Sequence, residues 1–488
     1  MARITVVGAG FAGLSAAACL AAAGHDVHVF EKNATAGGRA RQMKTDSGYV
    51  FDMGPSWYWM PDVFERFFQR FGHTATDFYN LMRLDPAFEV VFAQGTLKIP
   101  GDYTKLVDLF ESIEKGAGSA LQKFMDEAQF KYEVGMQDLV YKPGLSLSEL
   151  VDFRLLRGMA RLQVFTSLSK HVRRYFSDPR LIALMEFPVL FLGAMPGDTP
   201  ALYSLMNYAG LKLGTWYPAG GFGKVGDAMF EVARKQGAVF HFNAPVQRIE
   251  VGDNRAHSVI VSGEEVSCDA VVATADYHHV EAELIPSQYR NYDESYWEKK
   301  TFAPSCLIYY VGVNKRIHNL LHHTLFFEND LLQHSSEIYK NPRWPSHPLF
   351  YVCCPSKSDD RVAPPGHENL FLLMPVAPGL EDHSPIREKY FTEMIRRIEK
   401  HTGEDILPYI DYKKCYCIDD FVSDYHAYKG NAYGLANTLM QTANLKPKIR
   451  NRNIRNLYYA GQLTVPGPGV PPAIISGQVV AHELMRKL

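Results

Sequence analysis

The sequence predicts an α/β protein with added α+β elements. A parallel-sheet domain is assembled from separated segments and combined with a second, discontinuous domain. Three observations predict this. A short apolar strand, a glycine turn, an alanine-rich helix and another strand follow one another over the first 31 residues. A buried strand, a glycine- and proline-rich loop and a helix run from Asn456 to Leu488. Helical and strand-like stretches mix in the residues between. The 488 residues are 47% hydrophobic and 21% charged, which is ample material for two or three domains. A net charge of -2 and a pI near 6.8 carry no whole-protein signature of nucleic-acid binding. Seven cysteines lack the paired spacing of a zinc site, as in "CC" at Cys353 and Cys354 and "CYC" at Cys415 and Cys417. They read as reduced, mostly buried thiols, so no metal is expected.

The first element, "ITVVGAGFAGLSAAACLAAAGHDVHVFEK", begins with 21 uncharged residues, Ile4–Gly24, behind Arg3. Such a run imitates a signal peptide or a marginal membrane span. Its glycines give the better reading: strand, turn, helix, stop at Gly24, and a second strand through Val27 and Val29. The apolar run is then the buried core of a βαβ unit. Leu181–Pro196 is broken by Glu186 and Pro188 and is too short to span, so no transmembrane helix is predicted.

Gly8, Gly10 and Gly13 form G-x-G-x-x-G in the context that the motif requires, after a strand and before a helix. The first permits the turn, the second lets the backbone approach a pyrophosphate, and the third lets helix and strand pack closely. The free N–H groups of the helix N-terminus face that pyrophosphate. Glu31 lies 18 residues beyond Gly13 at the end of the second strand, placed to accept from ribose hydroxyls. Downstream, "ATAGGRARQ" sets Gly37, Gly38 and Arg39 where a nicotinamide-binding half would continue into another crossover helix. A second close approach to a phosphate or flavin edge follows, which points to FAD in a Rossmann domain.

"VVGAGFAGLSAAACLAAAGHDVHVFEKNATAGGRA", "FDMGPS", "YPAGGFGKVGDAMFEVARKQGAVFHFNAPVQRIE" and "LYYAGQLTVPGPGVPPAIISGQVVA" together resemble the phytoene-desaturase family of bacterial carotenoid desaturases. That family lies within the glutathione-reductase and amine-oxidase-like flavoproteins. The match is most similar in appearance to the 3,4-desaturases of hydroxylated or cyclised carotenoids. It implies an FAD-binding domain over 1–75, 218–285 and 411–488, and a substrate domain, helical and membrane-facing, over 76–217 and 286–410. Cofactor contacts are implied at Gly8, Gly10, Ala12, Gly13, Glu31, Lys32, Gly38, Arg39, Gly54, Pro55, Ser56, Val246, Gly461, Gln462, Gly469, Val470 and Ala473. The acid that many such flavoproteins carry after the Ala-Gly pair is Gln462 here. "GGFGKVG" holds a second G-x-G-x-x-G at Gly221, Gly223 and Gly226. "GTWYPA" precedes it instead of an apolar strand, so it reads as a return loop near the substrate cavity. Pro471 and Pro472 pre-set the first turn of the last helix, whose positive end is expected to face the flavin.

Desaturation of a polyene removes a hydride to the flavin and a proton from the neighbouring carbon. The allylic cation between is delocalised, so positioning against the ring supplies most of the catalysis and no catalytic base is assigned. Trp57, Tyr58 and Trp59 are candidate apolar walls near the flavin, and Trp216, Tyr217 and Phe222 candidate tunnel residues; core packing accounts for each equally well. The expected partners are a carotenoid, oxygen or a quinone as electron acceptor, and membrane lipid. "FRLLRGMARLQVFTSLSKHVRRY" places Arg154, Arg157 and Arg161 on one helical face with no acid nearby, suited to an anionic bilayer. A cytoplasmic protein docked on the inner membrane face is expected. An FAD-dependent amine oxidase, a polyene isomerase or saturase, and a flavin-free lipid escort like the GDP-dissociation inhibitors are the alternatives.

Overall fold

A computed structural model describes residues 1–146 and 162–488. Five parallel strands form the first sheet, in the order Leu457–Tyr459, Ala270–Ala273, Arg3–Val7, Asp26–Phe30 and Val239–His241. Their side chains are mostly buried on both faces, as a parallel sheet covered by helices requires. On one face helix Phe11–Ala22 is clasped between helices Gly223–Lys235 and Val470–Met485. The contact with Val470–Met485 depends on Gly477, where a Cβ would collide with the Ala12 carbonyl oxygen and stand 2.8 Å from Ser15 Cβ. Ser15 Oγ donates to the Ile474 carbonyl at 2.7 Å across the same seam. An antiparallel three-stranded sheet, Val246–Gly252, Arg255–Val261 and Glu264–Ser267, extends this domain.

The second sheet has seven strands, in the order Ile410–Tyr416, Ser305–Val313, Glu368–Val376, Phe350–Cys353, His323–Phe326, Phe88–Phe92 and Gly95–Ile99. Only the His323–Phe326 and Phe88–Phe92 pairing is parallel. "CLIYYVGV" and "NLFLLMPVA" are neighbours in it, with Ile308 opposite Leu373. A boundary at 411 assigns most of Ile410–Tyr416 to the FAD-binding segments, but this strand pairs with Ser305–Val313 through Ile308 and Tyr416. Helices Tyr103–Ile113 and Ala117–Val134 join at Gly116, whose φ of 88° admits the reversal. Among the described residues no helix is long and apolar enough to cross a membrane.

Candidate functional site

Strand Arg3–Val7 ends in the predicted turn. Gly8 has φ +100°, and Thr274 Oγ1 donates to the carbonyls of Val7 and Gly8, both at 2.9 Å, which locks the turn. A Cβ on Gly13 would run into the Gly8 carbonyl oxygen, whereas one on Gly10 would meet only Gly38 Cα, at 3.9 Å. Gly13 therefore serves packing, and Gly10 keeps space open. The Gly37–Gly38 turn leans on the first one: Gly37 N donates to Ala9 O at 2.9 Å, and a Cβ on Gly38 would stand 3.0 Å from Gly10 Cα. Helix Phe11–Ala22 has no side-chain cap and no acid in its first turn, so its leading amides and partial positive charge face open space.

Glu31 is buried, with Oε2 accepting from Ala9 N at 2.7 Å and Oε1 from Asn33 N at 2.9 Å and Asn33 Nδ2 at 2.7 Å. It fixes the glycine turn as well as offering its remaining lone pairs outward. Two buried polar atoms nearby lack any partner, Arg39 Nε and Asp276 Oδ2. Leaving such atoms unpaired costs about 1–3 kcal/mol each, so a polar ligand would complete their environment.

These residues line one cavity of about 400 Å³. Of the predicted residues it collects Gly8, Gly10, Ala12, Glu31, Lys32, Gly38, Arg39, Gly54, Pro55, Ser56, Val246, Gly461, Gln462, Gly469, Val470 and Ala473, with Trp57 and Trp59. Gly13 sits behind the wall. Tyr58, Trp216, Tyr217 and Phe222 lie elsewhere. Tyr58 is fully buried, stacks on Phe64 and bonds Tyr79 Oη at 2.8 Å; Phe222 packs against both Tyr58 and Phe64. Trp216 donates to the Leu213 carbonyl, and Tyr217 to Asp359. The second glycine motif is closed off as well. Asp52 accepts from Phe222 N and Gly223 N at 2.7 and 3.0 Å, so a carboxylate occupies the anion-binding end of helix Gly223–Lys235. Burial raises the Asp52 pKa to about 6, against the pull of these donors.

The cavity lining divides by chemistry. Around the glycine turns stand Glu31, Lys32, Arg39, Asp276, Asp424 and the stacked rings of His279 and His426, 3.9 Å apart. Past Gly54 and Pro55 the wall is Trp57, Trp59, Met60, Met206, Ile308 and Leu373, joined by Cys306, Tyr351 and Tyr433. Burial pushes the Cys306 thiol up to about 12 and the Tyr351 and Tyr433 phenols well above their usual value, so these three groups are neutral at neutral pH. The strand "CDAVVATAD", expected to end near the cofactor, brings Thr274 and Asp276 to the cavity, whereas sequence reasoning missed Met206, Cys306, Ile308, Tyr351 and Leu373. Their only signal along the chain is a place at or near a buried strand or helix.

Gly461 (φ +118°) and Gly469 (φ +107°) bracket the loop between the last strand and the last helix. Pro471 and Pro472 have no N–H, so the first turn of Val470–Met485 faces the cavity with its dipole more than with hydrogen-bond donors.

A model of the family "Flavin containing amine oxidoreductase" matches residues 11–485. The chain is 42% identical over 487 residues to a carotenoid 3,4-desaturase of Haloarcula japonica, covering 99% of this chain and 98% of that one. It is 31% identical to a zeta-carotene-forming phytoene desaturase of Myxococcus xanthus, covering 99% and 94%. The fold matches cyclohexylamine oxidase from Brevibacterium oxydans with a TM-score of 0.60 at 13% identity, covering 100% and 99%. The uncapped helix end, the abutting glycine turns and the unpaired Arg39 and Asp276 atoms fit the dinucleotide that this family binds. The chain belongs to the flavin-containing amine oxidoreductases and, within them, to the carotenoid desaturases.

Proposed function

We propose that this FAD-dependent carotenoid desaturase holds the cofactor along the polar limb and takes one end of a polyene into the apolar limb, introducing a double bond that extends the conjugation. The observation that carries this reading is the uncharged wall from Trp57 to Leu373 directly adjoining a dinucleotide cradle. FAD, when bound, supplies the acceptor for the hydride. The chain's part is positional. Trp57 and Trp59 form one side of the limb, their ring centroids 5.4 Å apart and their planes at 67°. Ile308 and Leu373, paired across strands, stiffen another side. Among the described residues lining this limb no carboxylate stands to trap a cationic intermediate. With no ionised base among the described residues of that limb, the proton leaves from the delocalised cation to a weak acceptor.

The relative that forms 3,4-double bonds makes that position on the polyene the proposed target, with oxygen or a quinone reoxidising the flavin. Anaerobic mixing of holoprotein with a candidate polyene should bleach the flavin band, shift carotenoid absorption to longer wavelength and lower the carotenoid mass by two hydrogens. A change in double-bond geometry without mass loss would establish an isomerase instead.

Peripheral membrane contact is part of the same proposal, since carotenoids dissolve in the bilayer. Arg154, Arg157 and Arg161 lie outside the described residues. Phe165, which follows them in sequence, is 83% exposed, and Met440 is 72% exposed, in the stretch that Asn444 ties to the Ser146 carbonyl. Exposed apolar side chains beside a basic segment suit an anionic lipid surface. Co-sedimentation with anionic vesicles should weaken with salt and with Arg154→Glu, Arg157→Glu and Arg161→Glu combined. Equal binding by that variant would remove the segment from docking.

A further inference from the structure

The spacing of cysteines along the chain suggested no metal, but strand pairing creates a cluster that spacing does not reveal. His323 begins strand His323–Phe326 and is the cross-strand partner of Cys353 at the end of Phe350–Cys353. His322 precedes it, with the two imidazole rings 4.4 Å apart. One nitrogen of each ring and Cys353 Sγ lie within 4.8 Å of one another, and all three residues are buried. We propose that His322, His323 and Cys353 form a buried three-donor site for a thiophilic d10 cation, Zn²⁺ or Cu⁺, behind the Trp57 wall of the cavity.

Three observations support it. Both Nε2 atoms are buried without a partner, although His323 is 0% and His322 5% exposed. Each such nitrogen is destabilising unless something occupies its lone pair. Each Nδ1 is in turn anchored, His322 to Ser358 Oγ at 2.9 Å and His323 to Tyr351 Oη at 2.6 Å. Tyr351 Oη donates onward to Ser56 Oγ at 2.9 Å, so it accepts from His323 Nδ1–H. That tautomer leaves the His323 Nε2 lone pair free, and an outer partner on the other ring nitrogen is the usual support of a metal-bound imidazole. Finally, the donor set is two imidazoles and one thiol, which suits zinc or cuprous ion better than a hard cation. A small cavity lined by Cys353 and Asp52 adjoins the cysteine side of the cluster.

Binding forms two metal–nitrogen bonds and one metal–sulfur bond, and the thiol proton leaves to solvent. With Cu⁺ the thiolate makes the site electrically neutral; with Zn²⁺ a hydroxide or the nearby Asp52 carboxylate offsets the second charge. His323 stacks on Trp57 at 4.2 Å, 10° from parallel, so the ion would fix the ring that walls the main cavity.

Holoprotein produced in zinc- and, separately, copper-supplemented medium should carry about one equivalent of one of these metals by elemental mass spectrometry, and that arm identifies the ion. Cys353→Ser and His322→Gln should each lower it about tenfold or more while flavin content stays the same. Protein grown on cobalt should show a thiolate-to-cobalt absorption band that Cys353→Ser removes. Wild-type protein holding less than about half an equivalent in both media, or variants holding as much as wild type, would overturn the site.

Discussion

Gly10→Val is expected to fold and to be purified colourless. A Cβ at this position meets nothing of the protein nearer than Gly38 Cα at 3.9 Å, so the fold has room for the new side chain. Its methyl groups would project into the cradle between the two glycine turns, over the free amides of helix Phe11–Ala22, where the pyrophosphate must approach the backbone. Flavin affinity should fall about 100-fold or more, which is about 2.7 kcal/mol. Gly13→Ala gives the opposite pattern. Its Cβ would overlap the Gly8 carbonyl oxygen, with Thr274 Oγ1 only 2.8 Å away, so the helix must shift off the sheet. That variant should lose several degrees of thermal midpoint and much of its soluble yield. The flavin-to-protein absorbance ratio and the midpoint of each variant check both outcomes. Stoichiometric flavin in Gly10→Val would overturn the cofactor assignment.

Leu373→Trp is expected to retain flavin and lose desaturation. Leu373 sits opposite Ile308 in the seven-stranded sheet and is only partly buried because it borders the apolar limb. An indole there takes up space proposed for the polyene, and kcat/KM should drop about 100-fold or more, equivalent to about 2.7 kcal/mol of transition-state stabilisation. Tyr58→Phe is the matched control. It removes the hydroxyl that bonds Tyr79 and touches no cavity residue through that group, so activity should stay within about threefold while stability falls by about 1 kcal/mol. Substrate titration and flavin content together decide the matter. Loss of flavin from Leu373→Trp would place this residue in the cofactor limb, and unchanged activity would move the polyene elsewhere.

The aromatic run from Trp57 to Trp59 shows where sequence reasoning stops. In extended chain alternate side chains point to opposite faces, so Trp57 and Trp59 belong together and Tyr58 apart from them. That much is legible. Which face meets the cavity is settled by the bridge between Tyr58 and Trp216, which turns Tyr58 toward Phe64 and Phe222. The second glycine motif is a parallel case. Its residues satisfy a phosphate-binding pattern, but Asp52, from 169 residues earlier than Gly221, fills the anion position.

What the sequence by itself determined is what local physics governs. The glycine turn needs backbone freedom, the helix after it needs a free N-terminus, Glu31 must end the second strand, and Gly461 and the prolines must shape the last loop. Each requirement is met within about 30 residues and is written as spacing and residue type. The tertiary structure decided the rest. Strand Ile410–Tyr416 joins the second sheet because its partner is Ser305–Val313, more than 90 residues away. Cys306, Ile308, Tyr351 and Leu373 become one wall, and His323 meets Cys353, because strands distant in sequence share hydrogen-bonded edges. No local period records which strand will lie beside which. That choice minimises exposed apolar surface and unpaired backbone groups over the whole chain at once, so it exists only in the folded protein.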